Sequence, residues 1–176
     1  ATIPSGSVSA ATYVDDPIAS FIGDEQEQEL NMGKLIGSIL AMGFELAFAK
    51  AQDSKVDRVV TWTAARFEFL QDEPGLKVTV KEEILADVAA DILEINKKNY
   101  VTVEKLRELA GRATCISSLI HVWRPFVSML WGPIYSSRSR CPFNPDRVWK
   151  SAVEIPLRWM QAFLDGARGT LSRTYT

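Results

Sequence analysis

Apolar residues change their spacing part-way along this chain, and that change constrains the fold more than any other feature. Up to residue 76 they come in short runs with strand-like alternation, separated by turn residues. From Ile84 onward they recur at helical spacing, as in Ile84, Leu85, Val88, Ile92 and Ile95. The pattern predicts an α+β chain in two parts: a strand-rich part over 1–76 and a mainly helical part over 77–176. Too few strands lie in the first part to bury a sheet alone, so the two are not expected to be independent.

In the first part, residues 10–14 and 18–22 read as the two strands of a hairpin joined at Asp15, Asp16 and Pro17. Asp24 opens a helix whose first turns carry Glu25, Glu27 and Glu29, favourable at the positive end of a helix dipole. Gly43 is its natural stop. Residues 44–48 alternate like a strand, 53–58 form a charged turn, 59–69 are strand-rich, 72–75 turn, and 77–79 are extended. In the second part, Thr79 to Glu82 has the spacing of a capping box, and Thr102 caps a further helix that Gly111 bends or ends. Residues 113–135 read as one long apolar helix, broken or bent near Pro125. A Ser/Arg-rich loop follows over 136–145. Asp146 then caps a last helix reaching Leu164 and kinked at Pro156, and Gly166 and Gly169 end the pattern. No internal repeat is present.

Composition narrows the function. The net charge of −2 lacks the basic surplus of a typical nucleic-acid-binding protein, so such a role needs a local basic face or partner segments. Cys115 and Cys141 are far apart and fit neither a zinc site nor a disulfide framework, which suggests free thiols in a reducing compartment. Residues 1–11 lack the basic start and apolar core of a signal peptide. Residues 35–44 are apolar but too short to span a bilayer, and 114–137 are interrupted by His121, Arg124, Pro125 and Pro133.

The adjacent carboxylates Asp15 and Asp16 sit where a hydrophobic hairpin turns. Packing gives no reason for two like charges there, whereas magnesium, which takes hard oxygen ligands, does. A solvated turn is the alternative. Tyr13-Val14-Asp15-Asp16 matches the Tyr-x-Asp-Asp box of reverse transcriptases. Downstream, Gly43-Phe44-Glu45-Leu46-Ala47-Phe48-Ala49-Lys50 is similar to that family's Gly-x-x-Leu-Ala-x-x-Lys segment. Val59-Val60-Thr61-Trp62 lies where the family has its primer-grip strand. Residues 78–80, 103–111 and 123–131 follow in the order of the thumb. Over roughly residues 10–135 the chain thus resembles the end of the palm and the thumb of retrotransposon reverse transcriptases, particularly the DIRS-like group.

That resemblance implies RNA-directed DNA polymerase ancestry, with Asp15 and Asp16 as magnesium ligands for two-metal nucleotidyl transfer. Tyr13 would lie beside the primer end or template. Lys50 aligns with a lysine proposed to protonate the departing pyrophosphate, and reads equally as a surface lysine at a strand end. Trp62 would support the primer grip or simply fill the core. Lys105, Arg107, Arg112 and Arg124 would meet template-primer phosphates, or else be ordinary exposed helix charges. His121 has no evident partner, and Trp123, Trp131, Trp149 and Trp159 suit a core better than a stacking platform. An earlier palm strand with a further aspartate, the fingers and an RNase H carboxylate set have no counterpart here. The primer-grip strand also continues Thr63-Ala64-Ala65 where the family has Trp-x-Gly. The chain alone is therefore expected to be inactive. The competing expectation is a non-catalytic adaptor that packs against other protein subunits in a large assembly, with membrane contact not favoured. The polymerase reading implies a nuclear or cytoplasmic protein; the adaptor reading implies an organelle or membrane complex.

Overall fold

The computed structural model describes residues 6–13, 16–70 and 75–175. The chain is a mixed α+β protein and divides into two compact units, Ala1–Asp57 and Arg58–Thr176. The boundary falls before the strand-rich run at 59–69, not after residue 76 as expected.

In the first unit, β1 (Val8–Tyr13) and β2 (Asp16–Phe21) pair antiparallel from Val8↔Phe21 to Tyr13↔Asp16. Asp24 then caps α1 (Glu25–Ala41). Its Oδ1 accepts from the Glu27 amide at 2.9 Å, and the Glu27 carboxylate accepts from the Asp24 amide at 3.2 Å, a reciprocal capping box. Gly23, at φ 149°, leaves the space into which Glu27 folds back; a Cβ there would collide with its carboxylate. Gly43, at φ 85°, ends the helix, and its amide bonds the Leu40 carbonyl.

No strand forms at 44–48. With no strand alongside, the backbone bonds locally: Phe48 N to Leu46 O, and Lys50 N to Ala47 O in a single 3-10 turn, Phe48–Lys50. The expected charged turn is the short helix α2 (Ser54–Asp57), with Asp53 accepting from the Lys55 amide.

The second unit begins with the hairpin β3 (Val59–Trp62) and β4 (Ala65–Phe69), to which β5 (Leu76–Val80) adds antiparallel. This pairing assigns 59–69 to the helical half: Ala65, Val78 and Val80 are buried, and Val80 joins the helical core. Thr79 lies in β5, opposite Arg66, so the expected capping box does not form. Lys81 stands at the N-cap of α3 (Glu82–Asn96) without a side-chain cap.

Next come β6 (Tyr100–Thr102) and α4 (Val103–Leu119), which Thr102 caps as expected through its hydroxyl to the Lys105 amide. Gly111 does not end α4, which continues for two further turns. The break expected near Pro125 in the apolar stretch 113–135 is present. α4 stops at Leu119, and α5 (Arg124–Tyr135) starts with Pro125 in its first turn, where a missing N–H costs nothing.

After α5 come β7 (Arg140–Cys141) and β8 (Asn144–Trp149), then α6 (Glu154–Leu164) and β9 (Ser172–Tyr175). Asp146 is thus in a strand rather than at a helix cap. Val148 pairs with Val101 and both are buried, which outweighs the capping signal. Pro156 sits in the first turn of α6, where the helix accepts it without a break. Beyond Gly169 the chain is ordered as β9, which completes a four-stranded sheet β3-β4-β5-β9. A second sheet has the order β6-β8-β7.

Around α4 the core closes. Leu106, Leu109, Ala110, Ala113 and Ile116 are fully buried against Val88, Ile92 and Ile95 of α3, Leu130 and Ile134 of α5, and Leu157 and Met160 of α6. Of the four tryptophans expected in the core, Trp123 alone is fully buried, while Trp149 and Trp159 are exposed. Cys115 is an exposed free thiol on α4, and Cys141 a buried one in β7.

Thr63, in the turn between β3 and β4, has φ 51°, a left-handed conformation that a β-branched residue resists. Thr63→Gly is expected to stabilise the fold by about 1 kcal/mol, after allowing for the extra unfolded-state freedom of glycine. A urea titration checks this; a lower midpoint would show that the turn is not strained.

Candidate functional site

Two short extended segments create the hairpin tip. Their register sets Tyr13, the last residue of β1, opposite Asp16, the first of β2. Asp16 is exposed. Val14 and Asp15 lie outside the described residues. Lys50 belongs to the same unit and is exposed at the end of its 3-10 turn. A carboxylate is the right donor for a hard divalent cation. Among the described residues, however, no group of three His, Cys, Asp or Glu side chains is placed to hold a metal. A magnesium site at this tip needs Asp15 and at least one further carboxylate.

The other expected site residues are in the second unit. Trp62 closes β3 opposite Ala65 and is half-buried. Arg107 is exposed on α4 and forms no ion pair among the described residues. Arg124, exposed at the start of α5, reaches back with Nε to the Ser117 carbonyl at 3.4 Å. That bond satisfies a carbonyl in the last turn of α4 and places a cation at the negative end of the helix.

Lys105 and Arg112 are brought together by a residue that sequence reasoning missed. Asp91 of α3 is buried, and it takes Lys105 Nζ on Oδ1 at 2.7 Å and Arg112 Nη1 on Oδ2 at 2.5 Å. Glu94 and Glu108 flank Lys105 at 3.7 Å, and Asp87 flanks Arg112 at 3.8 Å. Both cations are therefore matched by carboxylates within the fold. The hydrogen bond to Asp91 raises the Lys105 pKa above its ordinary 10.5, against the opposing effect of burial. Glu94 is held below its usual 4.5, chiefly by its hydrogen bond to Lys98. Asp91 carries one sequence signal. It shares the apolar face of α3 with Val88, Ile92 and Ile95, where a lone acid calls for a cation on the facing helix.

A second missed feature is a surface groove of about 310 Å³ on α6, lined by Ile155, Arg158, Trp159, Ala162 and Arg168. His121 is exposed in the 3-10 turn before α5. Among the described residues no helix is long and apolar enough to cross a membrane. Comparison with family models, with curated proteins and with solved structures finds no match for this chain.

Two outcomes follow from the Asp91 cluster. Asp91→Asn leaves two partly buried cations without their shared carboxylate. It is expected to destabilise the fold by about 2 kcal/mol in urea unfolding, below the figure for a fully buried pair because Lys105 and Arg112 keep some solvent. A change within error would mean that the cluster is fully screened. The pH dependence has a fixed sign. A lysine with a raised folded-state pKa contributes stability that is fully present below 10.5 and lost as pH rises through the folded value. Urea midpoints should fall on the alkaline side of 10.5, and Lys105→Met should flatten that fall; equal slopes in the two proteins would contradict it.

Proposed function

We propose that this chain is the palm-end and thumb portion of a retroelement RNA-directed DNA polymerase. One observation supports the reading above the others: Tyr13 and Asp16, the two ends of the box, stand directly opposite each other in an antiparallel hairpin. A capped helix and the Gly43 stop then lead to Lys50, in the order that the resemblance requires. On this reading Asp15 and Asp16 supply carboxylate oxygens to magnesium, and Lys50 donates a proton to the leaving pyrophosphate. The metal, when bound, supplies charge neutralisation for nucleotidyl transfer. Tyr13 orients the primer end, and Arg107 and Arg124 are the thumb cations left for phosphate. Trp62, at the end of β3, is the primer-grip residue.

A non-catalytic adaptor is the second reading, and the first unit favours it. None of the described residues of 6–57 is buried, and Met42, Phe44 and Val56 are exposed at 66%, 62% and 78%. Such a surface suits contact with other subunits.

Manganese, a paramagnetic stand-in for magnesium, separates the two readings. In the polymerase reading it broadens the amide resonances of Tyr13 and Asp16 to Ala19 selectively, and Asp15→Asn/Asp16→Asn removes the effect. Broadening that is absent there, or unchanged in the double variant, would sink the metal-site reading and leave the adaptor. Primer extension by the chain alone is expected to be nil.

A further inference from the structure

The groove on α6 has a composition that the hairpin chemistry does not explain. Ile155, Arg158, Trp159 and Ala162 recur at helical spacing on the outer side of α6, opposite the buried Pro156, Leu157, Met160 and Phe163. Arg168 arrives from the segment beyond the helix. Its Cζ lies 5.3 Å from the centre of the Trp159 ring, while Phe126 of α5 stacks on the same indole at 5.7 Å and 14° between planes. Phe126 and Trp159 thereby hold the Arg168 guanidinium at the groove before any ligand arrives.

Neither arginine is in an ion pair among the described residues. Glu154 is one turn before Arg158 yet makes no ion pair with it among the described residues, and Asp165 is bonded to Gln161 Nε2 at 2.8 Å. The wider charge pattern agrees. From Lys97 to Arg173 the chain carries thirteen Lys or Arg against five Asp or Glu, whereas residues 1–57 carry three against nine. The net charge of −2 thus conceals a basic stretch, and the groove lies within it.

We infer that this groove binds a nucleotide unit, with its phosphate on Arg158 and Arg168 and its base against Ile155 and the exposed part of Trp159. Guanidinium groups pair with phosphate through two parallel hydrogen bonds, and the exposed edge of an indole beside an aliphatic side chain offers an apolar wall. A carboxylate-bearing peptide would use the charges but not the wall. The nucleotide comes either free or within a single strand; the phosphate-and-base chemistry is the same. The site lies beyond the segment that resembles polymerase thumbs and does not depend on the Asp15-Asp16 box.

The test is fluorescence anisotropy of the full chain with a labelled oligothymidylate of roughly 16 nucleotides, the upper end of the length that one small domain covers. Arg158→Ala/Arg168→Ala alters exposed side chains only. It should weaken binding roughly tenfold or more and lower the slope of log affinity against log salt by about 1.4, the value for two lost contacts to a single strand. Lys97→Ala/Arg138→Ala, which removes two cations of the same basic stretch outside the groove, should leave both nearly unchanged. Competition by adenosine monophosphate would extend the site to free nucleotides, and its absence would assign it to the strand. Equal losses in the two double variants, no loss in either, or equal competition by polyglutamate would overturn the inference. Asp15→Asn/Asp16→Asn should retain oligothymidylate affinity, so failure at the hairpin and failure at the groove are read separately.

Discussion

The second unit depends on the burial of α4. Five of its side chains, Leu106, Leu109, Ala110, Ala113 and Ile116, are sealed from water by α3, α5 and α6. Two of the five are alanine, which lets neighbouring helices approach closely at the centre of the unit. The polar residues of α4 lie mostly on its exposed side, and two that approach the core are paired. Lys105 and Arg112 are seven residues apart, two turns along one side of α4, and both are drawn onto Asp91 of α3. The ion cluster works as a register pin: α3 cannot slide along α4 without separating a buried carboxylate from both cations.

That pin changes how the basic residues of the helical half are weighed. From sequence, Lys105, Arg107, Arg112 and Arg124 form one set of phosphate-contact candidates. In the fold they divide by environment. Two are bound to Asp91, Arg124 is exposed and hydrogen-bonded to the end of α4, and Arg107 is exposed with no ion pair among the described residues. Spacing along a helix reports which residues share a side, but not whether an acid on the next helix already faces them.

Elements whose signals are local were legible. The Asp24 and Thr102 caps, the Gly43 stop and the periodic apolar residues of α3 are each decided within a few residues, and each is where the pattern placed it. Elements decided by distant pairing were not. β8 exists because Val148 meets Val101, and β9 because residues 172–175 meet β5, nearly a hundred positions earlier. The strand expected at 44–48 fails for the converse reason, since its alternation is present but no partner strand is. The candidate site follows the same rule. A hairpin was legible around the four-residue box but its register was not, since Asp16 and Pro17 belong to β2 and not to the joining turn, whereas the α6 groove needed Phe126 and Arg168 to be brought to Trp159 from other segments.

The late arrival of β9 also bears on synthesis. A ribosome releases the chain from its amino end, so β3, β4 and β5 can pair long before residues 172–175 emerge. Until they do, the outer side of β5 presents unbonded amides and carbonyls beside apolar Val78 and Leu76. For that interval the nascent protein carries an open strand edge that invites mispairing with neighbouring chains on a polysome. The polar sequence of β9, Ser172-Arg173-Thr174-Tyr175, none of it buried, then shields the edge, making this strand a closure against aggregation rather than a contributor to the core.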